Sequence, residues 1–322
     1  MTELLYHEAR SRALVRELED NPELTLIGGA VALPFNPDDG LAERYGERIV
    51  WPPISEFANI GLAAGAAING MRVLVPITTS SFMFYGWAPL VLEAANVRYL
   101  SGGAATAPLA VHVMAGSRRG GAAQHEHTPQ SMLHSVPGLR VIAPGTPAGV
   151  DAAFHAALTG PDPTVIVDNV RLAPFAGEVG ERPAEVGSTL VREGTDALIV
   201  SYSLMLQHAL AAARALESEG ASVAVLDLAL LNPLPVAAAL ERIAEHRLVL
   251  FADEARAPGS PASHLMARML EAGIAARAKL VCSAGAPSPF APELVDEVVP
   301  TAATVEAALR ELLAAPARGG AA

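Results

Sequence analysis

The amino-acid sequence predicts an α/β fold of two doubly wound domains, and three observations carry that prediction. Short apolar runs alternate with longer segments of helical period, the pattern of parallel strands joined by crossover helices. The alternation runs through the first half of the chain and again through the second, with a charged stretch containing Gly and Pro between them. The chain has 322 residues, 51% hydrophobic and 17% charged, which is enough for two buried cores and excludes disorder over most of its length.

In chain order, the pattern predicts a helix over 3–18 and a strand from Leu24 to Ile27. Pro53-Ile54-Ser55-Glu56-Phe57 then runs on through small residues to Ala67, predicting a helix over 55–68 with Ser55 as N-cap and with Gly61 and Gly65 allowing close approach. Glu56 falls in its first turn, where the helix macrodipole stabilises a carboxylate by about 0.3–1 kcal/mol, so a structural role alone accounts for it. Strands follow at Arg72 to Ile77, Leu109 to Met114, Leu139 to Ala143 and Thr164 to Asp168, with helices over 86–98 and 147–159.

Phe175 to Gly187 carries Gly177, Gly180, Pro183 and Gly187 amid charges and reads as a connector. That sets the domains at 1–177 and 188–315, with a linker over 178–187 and a frayed tail over 316–322. The second half has strands near 196–201, 222–227, 247–252 and 278–283 and a closing helix over 303–314 with Val305, Leu309 and Leu312 on one stripe. Asp227 and the pair Asp253-Glu254 stand just past strand ends, where carboxylates either line a crevice or cap the next helix; pattern alone favours capping. No short-period repeat is present, which argues against a solenoid.

Composition excludes several functions. Lys279 is the only lysine among the 22 basic residues, so there is no lysine-centred phosphate loop and a Schiff-base mechanism would rest on Lys279 alone. A net charge of −12 without a basic stripe disfavours nucleic acid and anionic membranes as partners. The single cysteine, Cys282, lies in the apolar run Leu280-Val281-Cys282 and reads as a small core hydrophobe. The first residues lack a basic segment followed by an apolar one, and no uninterrupted 18-residue apolar stretch occurs, so a cytoplasmic protein is expected.

Three further segments change the reading of Glu56. They are Arg98-Tyr99-Leu100-Ser101-Gly102-Gly103, Ala122-Ala123-Gln124-His125 and Pro137-Gly138-Leu139-Arg140-Val141-Ile142-Ala143-Pro144. Together with Ile54-Ser55-Glu56, in this order and at these separations, they resemble the beta subunit of thiamine-diphosphate-dependent 2-oxo acid dehydrogenases. The similarity extends from the first helix to Pro300-Thr301. It implies a pyrimidine-binding domain followed by a transketolase C-terminal-like domain.

For individual residues the resemblance implies specific roles. Glu56 matches the glutamate that hydrogen-bonds a ring nitrogen of the cofactor's aminopyrimidine, promotes its imino tautomer, and so lets the thiazolium carbon lose its proton. Such a carboxyl needs an apolar, water-poor surrounding, which the small residues around Glu56 are expected to supply. Phe82 matches the ring against the aminopyrimidine, although spacing alone fits a core aromatic equally well. His125 matches the active-site histidine that assists proton transfer or stabilises charge. His127 and His134 stand nearby, but no third ligand set is evident, so no metal site and no role is assigned to them.

The departures from the family pattern cluster around the same pocket. Gly28-Gly29-Ala30 lacks an acidic pair, and Leu33 to Gly40 replaces a longer Gly-rich loop. Thr78-Thr79-Ser80-Ser81 stands where bulkier residues are usual, and Ala88-Pro89 replaces Asp-Gln. No Gly-Asp-Gly occurs, so the resemblance puts the Mg2+ and diphosphate ligands on an alpha subunit in an α2β2 assembly. The helix after Glu56 and Val91 to Val97 are candidate contact surfaces.

The leading expectation is therefore the beta subunit of an enzyme that decarboxylates a pyruvate-like 2-oxo acid and passes the acyl unit to a lipoyl-bearing acyltransferase. A two-component transketolase-like enzyme acting on a ketose or another carbonyl acceptor, and a non-catalytic scaffold, are the alternatives.

Overall fold

The computed structural model describes residues 1–28, 40–183 and 185–314. The chain opens with strand β1 (Thr2–Leu5) and enters helix α1 (Tyr6–Asp20) directly. The helix expected over 3–18 thus starts later, because Thr2–Leu5 pairs antiparallel with Ala176–Val179 and the Tyr6 amide donates to the Phe175 carbonyl at 2.8 Å. Strand β2 (Thr25–Ile27), helix α2 (Leu41–Tyr45), strand β3 (Ile49–Val50), helix α3 (Glu56–Ile68) and strand β4 (Val73–Ile77) follow. The helix expected over 86–98 is broken into a 3-10 turn (Ser80–Gly86), a π-helical turn (Pro89–Ala94) and a short α4 (Val97–Leu100). Pro89 has no amide hydrogen to give, and the Ala95 amide bonds Leu90 five residues back at 3.0 Å, which widens the turn.

Strand β5 (Leu109–Ala115), the short helices α5 (Ala122–His125) and α6 (Gln130–His134), strand β6 (Arg140–Ile142), helix α7 (Pro147–Thr159), strand β7 (Thr164–Asn169) and strand β8 (Ala176–Val179) complete the first half. The stretch read as a bare connector therefore carries β8. It is also anchored by Arg182, whose guanidinium donates to Asp151 Oδ2 and to Glu17 Oε1, both at 2.6 Å.

The second half runs β9 (Thr189–Arg192), β10 (Ala197–Ser201), α8 (Ser203–Glu217), β11 (Val223–Asp227), β12 (Leu230–Asn232), α9 (Val236–Ala244), β13 (Leu248–Arg256), α10 (Pro261–Glu271), β14 (Arg277–Ser283), α11 (Pro292–Val298) and α12 (Ala302–Ala314). Among the described residues, one sheet has the order β12-β6-β7-β5-β4-β2-β3 and a second has β14-β13-β10-β11-β9. Both are parallel apart from the antiparallel edge strands β12 and β9.

Alternation along the strands assigns each residue to a layer. Val73, Val75 and Ile77 of β4 enter a core shared with α3 and the second half, whereas Leu74 enters the core under α1 and α7. In β10, Leu198 and Val200 face the shared core, and Ala197 and Ile199 face α8 and α12. Val305, Leu309 and Leu312 of α12 are buried there, as their spacing predicts. The two halves are joined most directly by β12, which adds to the first sheet through β6 while Asn232 Nδ2 donates to the carbonyls of Val136 (2.7 Å) and Leu139 (2.6 Å). No helix among the described residues is long and apolar enough to cross a membrane.

Candidate active site

Ser55 caps α3, its Oγ accepting from the Ala58 amide at 3.4 Å, which fixes Glu56 as the first helical residue. The helix turns Asn59, Ile60, Ala63, Ala64 and Ala67 inward, so Glu56 is half-buried and Phe57 and Leu62 are exposed. The water-poor surrounding expected for Glu56 is thus not completed by α3, because its small residues line the core side and leave the outer side open. A Cβ on Gly61 would meet Pro89 Cβ at 3.7 Å, whereas one on Gly65 would meet nothing within 4 Å, so among the described residues Gly61 alone of the two lies against a neighbour.

The 3-10 turn presses on the start of α3. A Cβ at Gly86 would fall 2.3 Å from Ile60 Cδ1 and 3.0 Å from the Glu56 carbonyl oxygen, so only glycine permits this approach. The same turn carries Phe82, half-buried at the edge of the shared core. Its ring meets His125 edge to face, with centroids 5.3 Å apart. Phe82 and His125 are therefore brought together, and the turn that bears Phe82 packs on the helix that bears Glu56. His127 lies against Phe84 at 5.4 Å, and burial, assisted by the Arg256 charge, pushes its pKa down.

Sequence reasoning missed Glu126, which holds the histidine loop. Its carboxylate accepts from the Arg118 amide at 2.8 Å, the Gly121 amide at 2.9 Å and Ser117 Oγ at 2.7 Å, and from Ser288 Oγ in the second half. Burial raises its proton affinity, but these donors, Ser288 foremost, outweigh that and hold the carboxyl below its usual range. Ser80 Oγ, two residues before Phe82, donates to the His127 carbonyl at 2.8 Å and fastens the loop from the other side. Arg119 and Ala122 adopt positive φ of 56° and 55°, conformations that an L side chain holds only when its surroundings impose them.

The carboxylates at strand ends divide between structural roles. Asp253 Oδ2 accepts from the Ala262 amide in the first turn of α10 at 3.1 Å, which is the capping expected. Glu254 does not cap: β13 runs on through it to Arg256, and both its oxygens accept from Asn169 Nδ2, at 2.9 and 2.7 Å. Asp227 does not cap α9 either. It is buried, accepts from the Ala229 amide at 3.1 Å, and burial pushes its pKa up to about 7, as it does for Glu254.

A carboxyl with a raised native pKa keeps a proton that the unfolded chain has lost, so its contribution to stability falls as pH rises from about 4 to 7 and is constant above. Asp227→Asn removes that penalty while keeping the Ala229 acceptor. The expected result in thermal melts at pH 5 and pH 8 is a smaller drop in Tm for the variant than for the parent. Equal drops would mean that Asp227 is ionised in the native protein at both pH values.

Two other sequence expectations resolve simply. Cys282 is half-buried rather than fully in the core, with Ser260 Oγ at 3.9 Å from its sulfur, and burial pushes its thiol up to about 12, so it is unreactive at neutral pH. Lys279 pairs with Glu311 of α12, away from Phe82 and His125. The missing acidic pair at Gly29-Ala30 and most of the Leu33 to Gly40 segment lie outside the described residues.

A carboxylate, an aromatic ring and an imidazole on adjoining segments fit the aminopyrimidine end of thiamine diphosphate, which needs an acid partner and a flat apolar one. The sequence has no Gly-Asp-Gly, and among the described residues no group of three or more His, Cys, Asp or Glu could hold an ion.

Family models decide the assignment. The model described as "Transketolase, pyrimidine binding domain" matches residues 2–174, and "Transketolase, C-terminal domain" matches 188–305. The chain belongs to the transketolase-like family of thiamine-diphosphate enzymes, among their 2-oxo acid dehydrogenase beta subunits. It is 32% identical to the acetoin:2,6-dichlorophenolindophenol oxidoreductase subunit beta of Cupriavidus necator, covering 95% of this chain and 96% of that one. Identity is 30% to the 2-oxoisovalerate dehydrogenase subunit beta of Bacillus subtilis, over 97% and 99%. It is 29% to the mitochondrial pyruvate dehydrogenase E1 component subunit beta of Saccharomyces cerevisiae, over 95% and 88%. The solved inactive beta4 tetramer of a split gene transketolase shares the fold with a TM-score of 0.79 at 22% identity, covering 96% of this chain and 97% of that one. Members of this family depend on thiamine diphosphate, bound at an alpha–beta interface, and this chain is the beta partner.

Proposed function

We propose that this beta subunit, together with an alpha subunit in an α2β2 assembly, decarboxylates a small 2-oxo acid of the pyruvate type and delivers the acyl unit to a lipoyl-bearing acyltransferase. The observation that carries the reading is the contact between Phe82 and His125 on a turn packed against the start of the Glu56 helix. Bound thiamine diphosphate supplies the electron sink for cleavage of the bond next to the carbonyl. Glu56 holds and returns a proton at a pyrimidine ring nitrogen. Phe82 gives the pyrimidine an apolar face, and His125 holds or moves a proton near the substrate carbonyl or the acceptor. Mg2+ and the diphosphate are held by the alpha subunit, in keeping with the absence of a Gly-Asp-Gly from this sequence.

The identity to an acetoin oxidoreductase beta subunit favours a second reading, in which the cleaved bond joins a carbonyl to a carbinol carbon. Reconstitution with an alpha subunit, followed by assay of pyruvate, branched 2-oxo acids and acetoin with dichlorophenolindophenol or a lipoyl domain as acceptor, separates them. Turnover of a 2-oxo acid with CO2 release supports the first reading. Turnover of acetoin alone overturns it in favour of the second, and turnover of neither rejects both.

The docking face for the alpha subunit follows from exposure. Ile54, Phe57 and Leu62 beside Glu56, Tyr85 on the turn that bears Phe82 and Leu92 beyond it are large apolar side chains left in water, with Ile54 at 86% exposure. Leu62→Asp should leave the Tm of the isolated chain unchanged and weaken association with the alpha subunit at least about tenfold, since one desolvated charge exceeds the 1.4 kcal/mol that tenfold represents. Unchanged affinity in sedimentation or calorimetry would place the contact elsewhere.

A further inference from the structure

Apart from the residues assigned to catalysis, two histidines meet at the joint between the halves of the chain. His134 ends α6 and His264 lies on α10, with ring centroids 5.1 Å apart and planes at 80°. They line an open cleft of about 680 Å3 together with Ser135, Asn232 and Ser263.

Apart from His264, the polar groups of this cleft have hydrogens committed elsewhere. His134 Nδ1 lies 2.7 Å from the Leu231 carbonyl oxygen, which can only accept, so Nδ1 carries a hydrogen and Nε2 is the ring nitrogen left to bind a metal ion in the neutral form. Ser135 Oγ donates to the Met132 carbonyl at 2.9 Å and Ser263 Oγ to the Ala257 carbonyl at 2.7 Å. Asn232 Nδ2 serves two backbone carbonyls, which leaves Oδ1 as its remaining polar atom. His264, whose ring meets that of His134, makes no side-chain hydrogen bond among the described residues. Arg268 and Glu271, the charged groups that bear on it from α10, pair with each other.

Such a lining, rich in lone pairs with two imidazoles among them, is matched to an ion that accepts electron pairs. We propose that His134 and His264 form a bis-imidazole site for a divalent first-row transition-metal ion, completed by water held on Asn232 Oδ1 and the serine hydroxyls. Two imidazole nitrogens at about 2.0–2.1 Å from a tetrahedral ion put their ring centres about 5 Å apart, which is the separation found. The bond from His134 Nδ1 to the Leu231 carbonyl is the outer contact that orients a metal-ligating imidazole and fixes its tautomer. Neutral imidazole also selects the ion class, suiting zinc, nickel and copper rather than magnesium or calcium. No third His, Cys, Asp or Glu joins them among the described residues, so solvent fills the open positions. The ion would tie α6 of the first half to α10 of the second.

The test uses the full chain without a histidine tag, titrated with Zn2+ by calorimetry and with Co2+ by visible absorption. Expected are one ion bound per chain, tetrahedral Co2+ bands, and a loss of affinity of at least about tenfold in both His134→Gln and His264→Gln, because even an outer-contact loss costs about 10–100-fold. Failure to bind either ion overturns the proposal, as does binding that both variants retain or that only one of them loses. His264 is exposed, so should His134→Gln fail to fold, His264→Gln decides alone.

Discussion

Glu56→Gln lowers turnover of the reconstituted alpha–beta enzyme by about 10²–10⁴-fold, the range typical for a positioned acid or base, while the chain folds and assembles as before. Glutamine keeps the length and the hydrogen-bonding capacity of the side chain but cannot take up and release a proton. The structural cost is small, because Glu56 is half-buried and its favourable place in the first turn of α3 is worth only about 0.3–1 kcal/mol. Ser55 remains to cap the helix, and Gly86 still packs on Ile60. Thermal melts and the affinity for the alpha subunit should therefore match the parent, and steady-state turnover should not. Near-normal turnover would remove Glu56 from the proton path and leave it as a first-turn carboxylate.

Legibility of the fold in the sequence followed the range of the forces involved. The helix over 147–159 is found at its predicted bounds because Thr146 caps it through the Gly149 amide at 3.0 Å and Pro147 opens it, both local signals. The central strands of the two sheets were legible because apolar side chains bury both of their faces, as in β4 and β10. By contrast, β1 and β8 lie more than 170 residues apart and are made by pairing with each other, which no window of sequence contains. The break at Pro89 was visible as a residue type, but its form, a π turn closed by the Ala95 amide on the Leu90 carbonyl rather than a helix end, was not.

The same distinction holds at the site. Glu56, Phe82 and His125 came from resemblance, and the contact between two of them came only from the fold. Glu126 was invisible because its partners Ser117 and Ser288 come from the two halves of the chain, and a lone glutamate beside His125 has no spacing that announces four donors. A hydrogen-bonded carboxylate spanning that joint also explains how an exposed histidine keeps its place: the loop bearing it is fixed from both sides while the ring itself is left facing outward.

His125→Ala should separate two proton transfers that Glu56→Gln does not. Its ring is exposed and its one ring contact among the described residues is with Phe82, worth about 0.5–1.5 kcal/mol beyond burial, so the fold survives its removal. Glu56 is untouched, and exchange of the cofactor's C2 proton in the reconstituted complex should stay within a few-fold of the parent. Turnover should fall about 10²–10⁴-fold, because the group that handles a proton near the substrate carbonyl or acceptor is gone. Paired measurement of C2 hydrogen exchange and steady-state turnover reads both. If the two rates fall together, His125 serves cofactor activation or the integrity of the pocket, and the division of labour with Glu56 is wrong. If neither falls, the imidazole is only an edge contact for Phe82, and the chemistry near the substrate belongs to residues of the alpha subunit.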